Sequence, residues 1–364
     1  MNGVVTEGAL RESPEFSAEI FASSVQGDGN ATIPMDEPQI ADRMRLPVLD
    51  GWRGLSILAV LGAHLSPLGP KTLHFNAAAG MFGMAIFFTL SGFLITYSLL
   101  EQPKVVDFLT KRFFRILPLA WLCMAIAFAM HPASIGMLMS HFLFYANLPP
   151  QQLIPVTAHM WSLCVEVQFY VFIALLVALR GRAGLLLIPV LCLGHTALRI
   201  AYGVQASSVT YYRVDEILAG CVLALALHGE FGKQAERFVA WFNPFLLLAL
   251  FVLACMVQSG PLNYVRPYFA AMLVGATIVR SSGVLPRLLH TKALLYLAAI
   301  SYALYVIHPL LADTWLGSGD VIEKYAKRPL LFIVLFALAH LSTFYFERPC
   351  IFFSKHLVKR WRQS

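Results

Sequence analysis

The chain alternates long apolar runs with short polar breaks. Eleven runs stand out, near residues 48–66, 77–99, 113–131, 135–147, 160–179, 183–202, 212–228, 239–258, 264–280, 293–313 and 329–347. Crossing the hydrocarbon core takes roughly 20 helical residues, and only 135–147 falls well short. In lipid the backbone must satisfy its own hydrogen bonds, so apolar runs of this length are read as helices. The pattern therefore predicts an all-α, polytopic membrane helix bundle.

Basic residues decide which runs cross, because Lys and Arg concentrate in cytoplasmic loops. Arg43 and Arg45 precede the first run, and Lys104, Lys111, Arg112 and Arg115 follow the second. If 135–147 crossed, Arg180, Arg182, Arg280, Arg287 and Lys292 would lie outside, with the terminal Lys355, Lys359, Arg360 and Arg362. A re-entrant or interfacial 135–147 moves all of them inside. The expectation is ten transmembrane helices plus one short re-entrant segment, with both termini cytoplasmic. Its cost is Lys324, Lys327 and Arg328 outside, partly balanced by Asp320 and Glu323.

Composition supports this reading. Of 364 residues, 58% are hydrophobic and 13% charged, against about a quarter charged in soluble domains. Residues 1–45 carry eight acidic and three basic side chains, a balance of −5, which leaves +12 for the rest of a net +7. The bases cap apolar runs and form no stripe interleaved with aromatics, so nucleic acid is not an expected partner. Residues 1–45 lack a basic start followed by an apolar core, and are expected to form a disordered cytoplasmic tail. Residues 46–350 form the membrane domain and 351–364 a basic cytoplasmic tail. The six cysteines form no CxxC pair, so neither a disulfide framework nor a metal site is expected.

Polar residues inside the runs are the candidates for chemistry, since ionisable groups at membrane depth are costly. Arg53 and His64 lie 11 residues apart, close to three turns, on one helix face and roughly 16 Å apart. Taken singly, Arg53 is also readable as a snorkelling anchor and His64 as a helix-end histidine. Arg112 and Arg115 share a face at the cytoplasmic boundary, as a topology anchor or an anion clamp. The segment HMWSLCVEVQFY carries Trp161 and, deeper, Glu166. Arg213, Asp215 and Glu216 lie near the outer end of another run, where an ion pair is the plainer reading. Ser301, Tyr302, Tyr305 and His308 line a cavity or join helices.

These residues fall in motifs that resemble the acyltransferase-3 family of membrane acyltransferases. The motifs are LPVLDGWRGLSILAVLGAHL (46–65), GMFGMAIFFTLSGFLIT (80–96), FLTKRFFRILP (108–118), HMWSLCVEVQFY (159–170), RVDEILAG (213–220), ISYALYVIHP (300–309) and FERP (346–349). They occur in the family's order over 46–350. Two departures concern acids: Ala85 stands where many relatives are acidic, and Glu166-Val167 replaces a common Glu-Glu pair.

The resemblance implies an enzyme of the bacterial cytoplasmic (inner) membrane. It would move a short acyl group, acetyl in the first instance, from acyl-CoA to a hydroxyl of a glycan, exopolysaccharide or glycosylated small molecule. The partners it implies are acyl-CoA, a carbohydrate or glycosylated acceptor and the lipid bilayer, with no metal. Arg53, His64, Arg112, Arg115 and Glu166 are the functional matches. His64 is expected to be the general base, and Glu166 to orient His64 or bind the acceptor. Arg112 and Arg115 are expected to take the donor's phosphates, with Arg53 steadying its arm; Trp161, Arg213, Asp215, Tyr302 and His308 are candidate acceptor contacts. The alternatives are a glycan or lipid-intermediate transporter, which the lack of an internal repeat disfavours, and a non-catalytic scaffold.

Overall fold

A computed structural model describes residues 47–363, so the tail expected at 1–45 lies outside the described residues. Regular structure among the described residues is helical throughout, without a strand. Fifteen α-helices follow in chain order. They are α1 Pro47–Leu65, α2 Phe75–Glu101, α3 Val105–Met130, α4 Ile135–Phe142, α5 Trp161–Arg180, α6 Ile188–Ala201 and α7 Asp215–His228, then α8 Lys233–Trp241, α9 Pro244–Cys255, α10 Arg266–Val279, α11 Val284–Leu289, α12 Lys292–Ala312, α13 Val321–Ala326, α14 Arg328–Leu341 and α15 Arg348–Gln363.

Among the described residues, five helical stretches are long and apolar enough to cross a membrane: Phe75–Glu101, Val105–Met130, Pro155–Ala201, Lys292–Ala312 and Arg328–Gln363. The bent pair α8–α9 makes a sixth if its two helices form one broken span rather than a re-entrant loop. α1 is not among them, because Asp50, Arg53 and His64 interrupt its apolar surface. Segment 135–147 folds only as the eight-residue α4, roughly 12 Å long, too short to cross a bilayer by itself.

The run at 239–258 divides into two helices set at 78°. Pro244 lacks an amide proton and clashes with a preceding helical turn. Asn243 starts the new helix by accepting from Phe245 N at 2.8 Å and Leu246 N at 3.4 Å. The basic segment 351–363 continues α15 as helix, tied to the start of α3 by Arg362 Nε donating to Asp107 at 2.9 Å.

α1 lies between α2 and α12. Glycine permits both approaches: a Cβ on Gly83 would sit 2.7 Å from the Ser56 carbonyl oxygen, and one on Gly54 would sit 2.3 Å from that of Leu294. Ser56 Oγ donates to the Gly83 carbonyl at 2.7 Å, and Trp52 Nε1 reaches Thr277 Oγ1 of α10 at 2.9 Å. The α2–α7 crossing is closer still. A Cβ on Gly92 would meet the Ile217 carbonyl oxygen at 1.9 Å, and one on Gly220 that of Thr89 at 2.1 Å. Small residues at helix crossings drive packing in lipid. Gly92→Leu should therefore separate α2 from α7 at a cost of roughly 3 kcal/mol or more. The measurement is thermal stability and monodispersity in detergent; a wild-type melting profile would refute this account of the crossing.

Candidate active site

α1 forms one wall of two adjoining cavities. The wider, about 340 Å³, is lined by Ala63, His64, Asn76, Met81, Trp161 and Arg213 among others. The narrower, about 20 Å³, is lined by Arg53, Ser56, Phe87, Leu163, Ser301 and Tyr302 among others. Val60, Met84 and Tyr305 line both and separate them. About one water occupies 10–15 Å³ by the same measure, so the Arg53 side is a crevice and the His64 side a chamber. Tyr305 is pinned at the boundary: its Oη donates to the His159 carbonyl at 2.6 Å and accepts from Ser162 Oγ at 2.6 Å.

His64 Nδ1 lies 2.8 Å from His308 Nε2. His308 is 1% exposed, and its Nδ1 lies 3.2 Å from the Leu304 carbonyl, which can only accept. In its neutral form His308 therefore carries its proton on Nδ1 and accepts at Nε2. The shared bond is donated by His64 Nδ1, which leaves His64 Nε2 with a free lone pair. His64 is exposed to the chamber. A base oriented by a second hydrogen bond is what proton abstraction from a hydroxyl requires.

Glu166 belongs to the other end. Its Oε1 accepts from Tyr170 Oη at 2.6 Å and Ser91 Oγ at 2.8 Å. The expected alternative in which Glu166 orients His64 gives way to His308, because Glu166 is already held by α2 and by its own helix. Arg53 is bonded to Asp50 at 2.8 Å and lies in the electrostatic field of Arg115, Arg112 and Glu166. The Arg112 guanidinium sits 5.8 Å from the Phe108 ring centre and 5.9 Å from that of Tyr170. Tyr302 presents its ring to the crevice while its Oη donates to the Ile116 carbonyl at 2.5 Å, joining α12 to α3.

The predicted residues thus fall into two groups. His64, Trp161 and Arg213 meet at the chamber with His308 behind His64. Arg53, Tyr302, Arg112, Arg115 and Glu166 gather toward the crevice. Asp215 joins neither, being bonded to Arg199 and fully buried. Sequence reasoning missed Asn76, Arg199, Arg266 and Glu347, while Tyr305, read as a group that lines a cavity or joins helices, does both. Arg199 was visible as an arginine inside an apolar run. Glu347 sits in the FERP motif, on a π-helical turn at Ser342–Glu347, in the field of Arg115.

The acyltransferase domain profile matches residues 46–348 of this chain. The chain belongs to the acyltransferase-3 family. Similar proteins include the peptidoglycan O-acetyltransferase OatA of Listeria monocytogenes, 25% identical over 84% of this chain and 56% of the relative. The O-acetyltransferase OatA of Staphylococcus aureus is 24% identical over 72% of this chain and 50% of the relative. The chain spans about half the length of the curated relatives it matches. No solved structure matches it.

This acyltransferase-family chamber is braced by a buried ion cluster. Glu216 Oε1 accepts from Arg213 Nη1 at 2.8 Å and Arg266 Nε at 3.1 Å. Removing one partner of a buried pair leaves an uncompensated charge, typically at a cost of 3–5 kcal/mol. Glu216→Gln should lower stability by about that amount. Adding Arg266→Met to Glu216→Gln should recover part of the loss in a detergent melt. Equal stability of wild type and Glu216→Gln would remove the bracing role.

Proposed function

We propose that this protein is a membrane O-acyltransferase that moves a short acyl group, acetyl in the simplest case, from acyl-CoA to a hydroxyl of a glycan or glycosylated acceptor. The observation that carries the reading is His64 Nε2, left free by the His308 bond and set in a chamber that adjoins the Arg53 crevice along one helix. Family membership and the O-acetyltransferase names of the relatives support acyl transfer over the transport alternative.

Acyl-CoA approaches from the cytoplasmic side, where Arg112 and Arg115 receive its phosphates; guanidinium pairs suit phosphate oxygens. Its arm follows α1 past Arg53, and the thioester reaches the boundary formed by Val60, Met84 and Tyr305. The acceptor enters the chamber with its hydroxyl toward His64 Nε2. His64 takes the hydroxyl proton as the oxygen bonds to the acyl carbon. The carbon–sulfur bond then breaks, and the departing thiolate receives the proton from His64, giving the ester and free CoA. His308 is a positioning residue that holds His64 in the required tautomer. The crevice, about 20 Å³ as it stands, widens to admit the donor. On this reading the site lies in a multi-span bundle with both termini in the cytoplasm of a bacterial inner membrane.

His64→Ala should reduce acyl transfer by about 10²–10⁴-fold while acyl-CoA still binds, since a positioned base contributes on that order. Wild-type-like turnover in purified His64→Ala would end the role of His64 as the base, and wild-type protein that transfers nothing from acyl-CoA would end the acyltransferase reading. Arg112→Ala should raise the apparent KM for acyl-CoA with little change in kcat; an unaltered KM would remove the phosphate clamp. His308→Phe should lower kcat with unchanged KM for acyl-CoA and a displaced pH profile, whereas an unshifted profile would leave His308 a packing residue.

A further inference from the structure

The charges at the chamber wall do not balance. Arg199, Arg213 and Arg266 face Asp215 and Glu216, and all five are 0–2% exposed. Arg199 is paired with Asp215, while Arg213 and Arg266 share Oε1 of Glu216. Three guanidinium groups therefore meet two carboxylates. A buried excess charge is costly and is kept where something answers it.

Of the five, Arg213 is the one that lines the chamber; Arg266 Nη2, Asp215 Oδ1 and Glu216 Oε2 also lack hydrogen-bond partners, but their residues do not line it. Arg213 Nη1 serves Glu216, its Nε has no hydrogen-bond partner, and its Nη2 meets only the soft Met81 sulfur at 4.0 Å. The guanidinium lies 5.3 Å from the Trp161 ring centre and 5.8 Å from that of Phe88, which fix its plane. Arg213, Trp161, Met81 and His64 all line the same chamber of about 340 Å³. A planar guanidinium with two nitrogens left over matches the paired oxygens of a carboxylate or phosphate.

We propose that the chamber selects an acidic acceptor: a sugar or glycoside carrying a carboxylate or phosphate close to the hydroxyl that is acylated. Arg213 binds the oxyanion, Trp161 supplies an apolar wall for the ring, and His64 faces the hydroxyl. This rests on the reading of the His64 chamber as the acceptor site and adds the acceptor's charge class to it.

The test is equilibrium binding to the full chain in lipid nanodiscs, without acyl-CoA. The probes are three glycosides that differ at one carbon: methyl glucoside, methyl glucuronoside and methyl glucoside 6-phosphate. At least one anionic glycoside should bind about tenfold tighter than the neutral one, and the two anionic probes tell a carboxylate acceptor from a phosphate one. Arg213→Gln should abolish the preference. Because that change also breaks the Glu216 pair, Met81→Glu is the second variant. It sets a carboxylate beside Nη2, leaves the cluster intact, and should bring all three probes within about twofold, while Met81→Gln keeps the preference.

Equal binding of the three probes to wild type, or no anion-dependent binding up to about 10 mM, overturns the inference. So does a preference that survives in Met81→Glu. In that case Arg213 faces a charge formed during the reaction rather than one on the acceptor. Since no donor is present, the result does not depend on acyl transfer. Wild-type protein that transfers no acyl group from acyl-CoA sinks the acyltransferase reading whatever the probes do, and active His64→Ala sinks only His64 as its base. Inactive His64→Ala with equal probe binding sinks only the anionic acceptor.

Discussion

Apolar helix faces gain little by meeting one another in lipid, so a helix that carries polar groups needs other means of being fixed. For α1 those means are close backbone approach and a few directed bonds. Gly54 brings it against Leu294, and Gly83 of α2 lets the Ser56 carbonyl approach. The Ser56–Gly83 and Trp52–Thr277 hydrogen bonds set its rotation. Arg53 and His64 can share one line of cavities only because that rotation is fixed. A turn of α1 by one residue, about 100°, would carry both away from it.

The two ends of that line are electrostatically different. Toward Arg53 the side chains are arginines with carboxylates in reach, narrow in space and rich in cation. Toward His64 the wall combines a hydrogen-bonded histidine pair with a guanidinium beside aromatic rings. On the function proposed above, the first would receive the donor's phosphates and the second the acceptor. Tyr305, held by both Ser162 and the His159 carbonyl, keeps the two compartments apart.

Much of this was legible along the chain. Apolar runs marked nearly every long helix, because an amphiphilic solvent imposes a length and a polarity on each crossing. Breaks within runs were harder. Asn243-Pro244 splits one run by capping and steric exclusion, a local signal that run-averaged hydrophobicity hides. The Arg53–His64 pairing was readable because a single helix carries its own ruler. Glu166 was recognisable as a buried acid, yet its partners Ser91 and Tyr170 were not.

What the sequence determined by itself is therefore what depends on one helix at a time: the membrane class, the existence of the helices and the shared face of Arg53 and His64. The tertiary structure decided what depends on two. His308 stands 244 residues from His64, and no periodicity links them; only the packing of α12 on α1 turns His308 into the group that sets the His64 proton. Likewise Arg199 and Arg266 come from α6 and α10 to share the acids at the start of α7, which leaves Arg213 facing the chamber. Hydrogen bonds and ion pairs act over a few ångströms, and which side chains come that close is set by helix crossings that glycine contacts fix.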